Sequence, residues 1–158
     1  FCELAGALAP QEAEAGDFLR LMLNALHFLS KGTRPNDLLK AIVEMRMLSL
    51  AGYMPNLICC SGCSCYEADQ MAFLPRSGLI YCGDCYKPSQ EQAILLGRGA
   101  LTGMRHIIYS DFEKLFSFTL SKKGLKQLSK ASECFTLCTL ERSFQTLDFY
   151  RQMKTEQE

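Results

Sequence analysis

The sequence predicts a mainly α-helical domain, a helical bundle into which a small β-hairpin subdomain with four cysteines, of the zinc-ribbon kind, is inserted. Two observations carry this expectation. Apolar residues recur at three- and four-residue spacing through most of the 158 residues, and the rhythm breaks between Pro55 and Pro88. Inside that break stand Cys60-Ser61-Gly62-Cys63 and Cys82-Gly83-Asp84-Cys85, with eighteen residues between the pairs. The expected division is therefore a bundle from residues 1–54 and 89–158, and a metal-binding insertion at 55–88.

Phe1, Leu4, Ala5 and Leu8 share one helical face, so the chain begins inside a helix or with a short one. It opens on phenylalanine rather than methionine, which predicts a fragment of a longer protein. Pro10 suits the first turn of a second helix, with Glu12, Glu14 and Asp17 near its positive end. Phe18, Leu19, Met22, Leu26 and Leu29 form its stripe, widened by Leu23, Ala25 and Phe28. A helix apolar over so much of its circumference is expected at the centre of the bundle. Gly32 stops it. His27 has no second ligand one turn away and is expected in half-buried packing rather than on a metal.

Thr33 and Pro35 mark the next helix as cap and first-turn proline, and the helix runs to Ala51. Leu38, Leu39, Ile42, Val43, Met45, Met47, Leu48 and Leu50 pack it on several sides, and Glu44 and Arg46 are expected on its outer face. Gly52 ends it, and Pro55 prevents its continuation. The methionines are expected as core filler. Residues 89–98 run polar, then apolar, then glycine-rich, and predict a loop with at most one helical turn. Gly97, Gly99 and Gly103 are no phosphate loop, since the lysine of Gly-x-x-x-x-Gly-Lys is missing.

A helix over residues 100–108 buries Leu101, Met104, Ile107 and Ile108, with His106 at its edge. Ser110-Asp111-Phe112-Glu113 reads as a capping box that starts a short helix. Ser121 caps a long final helix whose apolar line is Leu125, Leu128, Ala131, Phe135, Cys138, Phe144, Leu147 and Tyr150. Cys134 and Cys138, one turn apart, are expected as buried thiols. Lys122, Lys126 and Lys130 recur every four residues and, with Lys123, make a basic ridge: a solvated face or a phosphate contact. The last five residues are polar and expected to fray.

The chemistry concentrates in the two cysteine pairs. Each Cys-x-x-Cys turn points two thiolates at one centre, and two turns close a tetrahedral S4 shell with Zn–S bonds of about 2.3 Å. Cys60, Cys63, Cys82 and Cys85 are thus the predicted ligands of a structural Zn2+. Gly62 and Gly83 sit inside the turns, where a residue with φ > 0 is easily accommodated. Met71-Ala72-Phe73 and Leu79-Ile80-Tyr81, separated by Pro75-Arg76-Ser77-Gly78, predict the two strands that return the second pair to the first. Cys59 and Cys65 flank the first pair and are alternative ligands, but the two-residue spacing favours Cys60 and Cys63, which leaves one flanking thiol expected buried and the other exposed.

Other uses of the cysteines fit less well. There is no apolar leader with a cleavage site, and nine cysteines are an odd number, which disfavours a disulfide framework. A redox Cys-x-x-Cys lacks its βαβ pattern, and a catalytic zinc needs an open coordination position that four cysteines fill. Net charge is zero, which argues against a whole-chain grip on nucleic acid and leaves room for a local basic face. No apolar run is long enough to cross a membrane. The two histidines stand near no nucleophile, and no Gly-x-Ser-x-Gly elbow or acidic pair in an apolar setting is visible. These absences point to a binding or scaffolding module rather than an enzyme.

The run Val43-Glu44-Met45-Arg46-Met47-Leu48-Ser49-Leu50-Ala51-Gly52-Tyr53-Met54-Pro55, followed by Leu57 and Cys60-x-x-Cys63, resembles the RecO family of bacterial recombination mediators. That family shows an apolar-Glu-x-Arg-Leu-Leu helix, Gly-Tyr-x-Pro and then the first cysteine pair, and Cys82 and Cys85 fall where it places the second. Glu141-Arg142-Ser143-Phe144-Gln145-Thr146-Leu147-Asp148-Phe149 resembles its closing segment, with Gln145 near a position where lysine is common. The resemblance covers nearly the whole chain. It implies the family's helical, zinc-carrying C-terminal domain without the N-terminal OB-fold, whose five-strand pattern is not found in this sequence. It further implies a non-enzymatic, cytoplasmic, nucleoid-associated protein of DNA repair, recombination and the DNA damage response. Such a protein works with RecR to load RecA on strand coated by single-stranded-DNA-binding protein (SSB), anneals strands, and meets DNA mainly through its OB-fold. Docking of the SSB C-terminal tail on the helical domain needs a hydrophobic notch with a basic rim, for which Lys126, Lys130 and Arg142 are candidates. The residues alone leave two other classes open, a zinc-ribbon DNA-binding transcription regulator and a thiol-dependent oxidoreductase.

Overall fold

The computed structural model describes residues 1–10, 14–88 and 91–155. In chain order it contains α1 (Cys2–Leu8), α2 (Gly16–Lys31), α3 (Asn36–Leu50), β1 (Gln70–Leu74), β2 (Leu79–Cys82), β3 (Ile94–Gly97), α4 (Arg98–Tyr109), α5 (Lys122–Leu140) and α6 (Gln145–Thr155). The expected class, mainly helical with a small β element around four cysteines, is the observed one. Among the described residues no helix is long and apolar enough to cross a membrane.

The axis of the bundle is α3. Ten of its fifteen residues are buried, and it packs against α1, α2, α4 and α5, as a helix apolar on every side must. The sequence assigned that central place to the preceding helix, and the structure reverses it. On α2 only Phe18, Leu21 and Ala25 are buried, while Leu19 and Leu23 remain 60% and 59% exposed. The broad stripe is two faces: at 3.6 residues per turn Leu19, Leu23 and Leu26 lie about 130° around the helix from the core-facing set. His27 is exposed rather than half-buried. The helix starts at Gly16, so Pro10 and Glu14 precede it, and Glu12 lies outside the described residues.

Glu44 and Arg46 do not form an outer face. Glu44 is buried between α3 and α5, where Lys40 Nζ approaches it to 2.7 Å and the Ser132 hydroxyl donates to it at 2.7 Å. Lys40 also reaches Glu133 on α5 at 2.8 Å. A buried charge is tolerable only when paired and hydrogen-bonded, and this cluster meets that condition. Arg46 donates to the Ile107 and Ile108 carbonyls at 3.1 and 2.8 Å, placing a cation at the negative end of α4. The cap of α3 is Pro35 rather than Thr33. After α4 the expected capping box does not form: Ser110 Oγ has no hydrogen-bond partner, and three-residue turn bonds such as Lys114 N to Asp111 O replace the short helix.

The hairpin is present, with Phe73 opposite Ile80 and Met71 opposite Cys82. Gly78 closes its turn at φ 67°, donating to the Leu74 carbonyl at 2.8 Å. The sheet, however, has three strands in the order β2-β1-β3, all antiparallel. Residues expected as loop supply β3, with Ile94 and Leu96 inward and Leu95 outward; residues 89 and 90 of that expected loop lie outside the described set. Gln127 of α5 covers the edge of β3, accepting from Gly97 N at 3.2 Å and donating to Leu95 O at 3.1 Å. An edge strand is thus satisfied by a helix side chain, and β1 is buried from Met71 to Leu74.

The expected single final helix is two. Glu141 adopts the left-handed conformation (φ 49°) and ends α5, and Phe144 turns back into the core. Glu3 of α1 caps the new helix: Gln145 N and Thr146 N donate to its carboxylate at 3.1 and 2.9 Å. Further clasps on α6 are Lys154 and Tyr150 to Asp37, and Arg151 to Glu133. Cys138 is exposed and Cys134 half-buried, against the expectation that both are buried. Of the five polar end residues, 156–158 lie outside the described set.

These clasps give α6 a pH dependence. The Thr146 hydroxyl and N–H hold Glu3 below the usual carboxylate range. Burial raises Asp37 and Glu133, but Lys154 with Tyr150 and Lys40 with Arg151 more than reverse it. A carboxylate lowered in the folded state stabilises above its unfolded value, 4.5 for Glu, and that contribution is lost as pH falls through the folded value. Glu44 has the opposite sign, because burial raises it. Protection of the α6 amides, corrected for their intrinsic exchange rates, is therefore expected to fall as pH drops below 4.5 and through the lowered folded values, while α3 amides stay protected. Equal protection of both helices across that range would contradict the clasp.

Candidate metal centre

The first cysteine turn leaves α3 through Pro55 and is drawn to the sheet by a bond from Ser61 N to Ile80 O of 2.9 Å. Ser64 N to Cys60 O and Cys60 N to Cys65 O, at 2.9 and 2.8 Å, fold the turn on itself. The second turn begins where β2 ends at Cys82, with Cys85 N donating to Cys82 O at 3.1 Å. As a result the sulfurs of Cys60, Cys63, Cys82 and Cys85 all lie within 4.8 Å of one another. The Cys60–Cys82 and Cys63–Cys82 sulfur distances are 3.8 and 3.7 Å. A tetrahedron with metal–sulfur bonds of about 2.3 Å has edges of about 3.8 Å, so the four thiols fit a thiophilic divalent ion.

Backbone amides support thiolate at the buried corner. Gly62 N and Cys82 N each stand 3.3 Å from Cys60 Sγ. Burial pushes the Cys60 thiol up, and the N–H groups of Cys82, Cys63 and Gly62 more than reverse it, leaving it at about 6. Hydrogen bonds with Cys82 and Cys63 push Cys85 up to about 12. Cys60 therefore gives up its proton well before Cys85, and a bound cation would displace the protons that remain.

The two knuckle glycines differ in role, and neither has positive φ; the left-handed residue in the first turn is Ser64, at φ 60°. A Cβ on Gly62 would lie 2.8 Å from Cys85 Cβ and 2.9 Å from its sulfur, whereas one on Gly83 would meet nothing within 4 Å. Overpacking of this kind costs about 1–3 kcal/mol. Gly62→Ala is accordingly expected to weaken metal affinity about tenfold or more in competition with a chromophoric chelator. Gly83→Ala should match the wild type, and equal affinities for all three proteins would refute the close-packing role.

Cys59 and Cys65 are both half-buried and stay outside the group, the Cys65 thiol donating to Glu67 O at 3.0 Å. The residue that sequence reasoning missed is Arg105. From α4 its Nε donates to Leu57 O at 2.7 Å, and its Nη2 to Ile58 O and Tyr66 O at 3.1 and 2.7 Å. It thereby straps the first knuckle to the bundle. Its one sequence signal was an arginine on the apolar stripe between Met104 and Ile108.

The proposed contact residues do not form one patch. Lys122, Lys126 and Lys130 are exposed along α5. Arg142 lies past the other end of that helix, its guanidinium 4.9 Å from the centre of the Phe144 ring. Phe144 in turn lines a cleft of about 390 Å³ that also takes in Leu4, Val43, Leu147 and Met153, with Lys40 at its wall.

The family model described as Recombination protein O C terminal matches residues 1–148. DNA repair protein RecO of Acetivibrio thermocellus is 31% identical over 137 residues, covering 87% of this chain and 54% of the relative. RecO of Symbiobacterium thermophilum is 30% identical over 152 residues, covering 94% and 59%. RecO of Caldicellulosiruptor saccharolyticus is 25% identical over 152 residues, covering 96% and 61%. The chain thus spans between 54% and 61% of the length of these relatives. With α1 to α5, the sheet and the cysteine cluster lying inside the stretch that the family model matches, the chain belongs to the RecO family, through its C-terminal domain.

Proposed function

We propose that this domain is the zinc-stabilised, partner-docking part of a non-enzymatic DNA repair and recombination mediator. The observation that carries the reading is the convergence of Cys60, Cys63, Cys82 and Cys85 in a chain of RecO descent. Four thiolates suit zinc and leave no coordination position open, so the ion's part is structural. The mediator acts with RecR in loading RecA on SSB-coated single strands and in annealing, meeting DNA mainly outside this domain. The Lys122–Lys126–Lys130 ridge supports a weak, salt-dependent contact with phosphate.

The cleft beside Phe144 is the best candidate notch for the acidic SSB tail, because its lining is apolar and Arg142 packs on that ring. Lys126 lies about 15 Å along α5 from Thr136 on the cleft wall, at 1.5 Å rise per residue, so it is a more distant candidate for the rim than Arg142. A fluorescence titration of SSB tail peptide tests this against Arg142→Glu and a Lys126→Glu/Lys130→Glu pair. Arg142→Glu is expected to weaken binding about tenfold, a loss of about 1.4 kcal/mol, and the lysine pair to weaken it less. Failure of the wild type to bind would remove the tail as a partner, and a larger loss in the lysine pair would move the notch to α5.

A further inference from the structure

We infer that the outer face of the first cysteine knuckle, centred on Tyr66, is a docking surface for a basic protein partner and not for nucleic acid. The inference rests on the reading that this domain serves protein partners, and adds where one of them sits and what chemistry it presents.

Three large apolar side chains stand exposed there: Tyr66 at 62%, Ile58 at 60% and Tyr109 at 47%. Named bonds to the backbone hold the segments that carry them against one end of α4. The Tyr109 hydroxyl accepts from Leu57 N at 3.4 Å, and Arg105, one turn earlier on the same face of α4, donates to the carbonyls of Ile58 and Tyr66. The same guanidinium lies 4.1 Å from the Tyr66 ring centre. One side of that ring is therefore held on a buried cation whose own position is fixed by backbone carbonyls. An aromatic presented this rigidly loses little freedom when a partner covers it, the property that makes tyrosine an interface anchor.

The electrostatics select the partner. The charged side chains at this face are Glu67 and Asp69, both exposed, Arg98, which meets Asp69 at 2.9 Å, and Arg105, buried beneath the Tyr66 ring; the four balance, and Glu67 is the exposed charge to which, among the described residues, no partner is matched. Four thiolates around one divalent ion would add a net charge of about −2 beside them. A phosphate backbone is repelled by such a surface despite its aromatic rings, whereas a lysine- or arginine-bearing protein surface with an apolar anchor is attracted.

The test titrates purified RecR and, separately, a single-stranded oligonucleotide onto the zinc-loaded chain and its Tyr66→Ser, Ile58→Ser and Glu67→Lys variants, each checked for zinc content and melting. Tyr66→Ser and Ile58→Ser should each weaken RecR binding about tenfold. Ile58→Ser leaves Arg105 stacked on Tyr66, so it separates lost docking from a loosened knuckle. Glu67→Lys should weaken RecR, flatten its salt dependence and strengthen the oligonucleotide. RecR binding all forms alike would overturn this surface and leave the mediator reading standing. An oligonucleotide affinity that falls with Tyr66→Ser would overturn it in favour of base stacking. A wild type that ignores RecR would overturn both.

Discussion

Cys82→Ser is expected to abolish stoichiometric zinc binding and to lower the melting temperature to that of chelator-stripped wild type. Cys82 is the junction of the centre: its sulfur lies 3.8 Å from Cys60 and 3.7 Å from Cys63, and its N–H donates to Cys60 Sγ. Metal binding to a structural S4 site has an apparent free energy of about 10–16 kcal/mol at neutral pH, much of it folding free energy. The net stability of a whole domain is about 5–15 kcal/mol. Removing one ligand therefore shifts a term as large as the entire margin. The loss should be cooperative rather than confined to the knuckle, because β1 runs from the cysteine cluster into the core, where Met71 and Phe73 are fully buried and Phe73 meets Phe135 of α5. Calorimetry with and without a strong chelator, read beside elemental analysis, decides the matter. A wild-type melt indifferent to chelator, or a serine variant that still carries one zinc, would refute the structural role.

The four-cysteine cluster was legible in the sequence because its information is local. A Cys-x-x-Cys turn needs only four residues to aim two sulfurs, and Pro75 to Gly78 supply the reversal that returns β2 to β1. Helix ends marked by glycine were legible for the same reason, as at Gly32 with φ 62°. What failed was whatever depends on distant partners. The break at Glu141 has no glycine or proline, and the cap that permits it comes from Glu3, 142 residues from the Gln145 N–H it accepts. Strand β3 is four residues long and exists by pairing with β1 and by the Gln127 side chain. Glu44 reads as a solvent-facing carboxylate until Lys40 and Ser132 are placed around it. The exchanged roles of α2 and α3 have a different origin: both are broadly apolar, and composition alone does not tell which helix the others surround.

Arg105→Met is the second large effect, expected to cost about 3 kcal/mol and to lower zinc affinity along with stability. Arg105 is buried and donates to three backbone carbonyls, those of Leu57, Ile58 and Tyr66. Hydrogen bonds from a charged group contribute about 1.5–3 kcal/mol each, though not additively, and truncation leaves the acceptors without partners. The methionine keeps most of the apolar stem, so the difference isolates the guanidinium. Arg105→Lys should recover little, because one ammonium cannot reproduce a planar fork aimed at carbonyls on both arms of the knuckle. The affinity arm follows from preorganisation. The strap holds the segment leading into Cys60 and Cys63 where those thiols must be for the ion, and a loosened segment must be reordered on binding. A loss of about 3 kcal/mol corresponds to roughly a hundredfold in affinity if it all appears there, and to less if part falls on the metal-free fold. Urea unfolding of the zinc-loaded proteins gives the first quantity and chelator competition the second. If Arg105→Met unfolds within about 0.5 kcal/mol of the wild type and binds zinc equally well, ordinary surface behaviour of this size would apply, and the knuckle would have to be held on the bundle by its sheet alone.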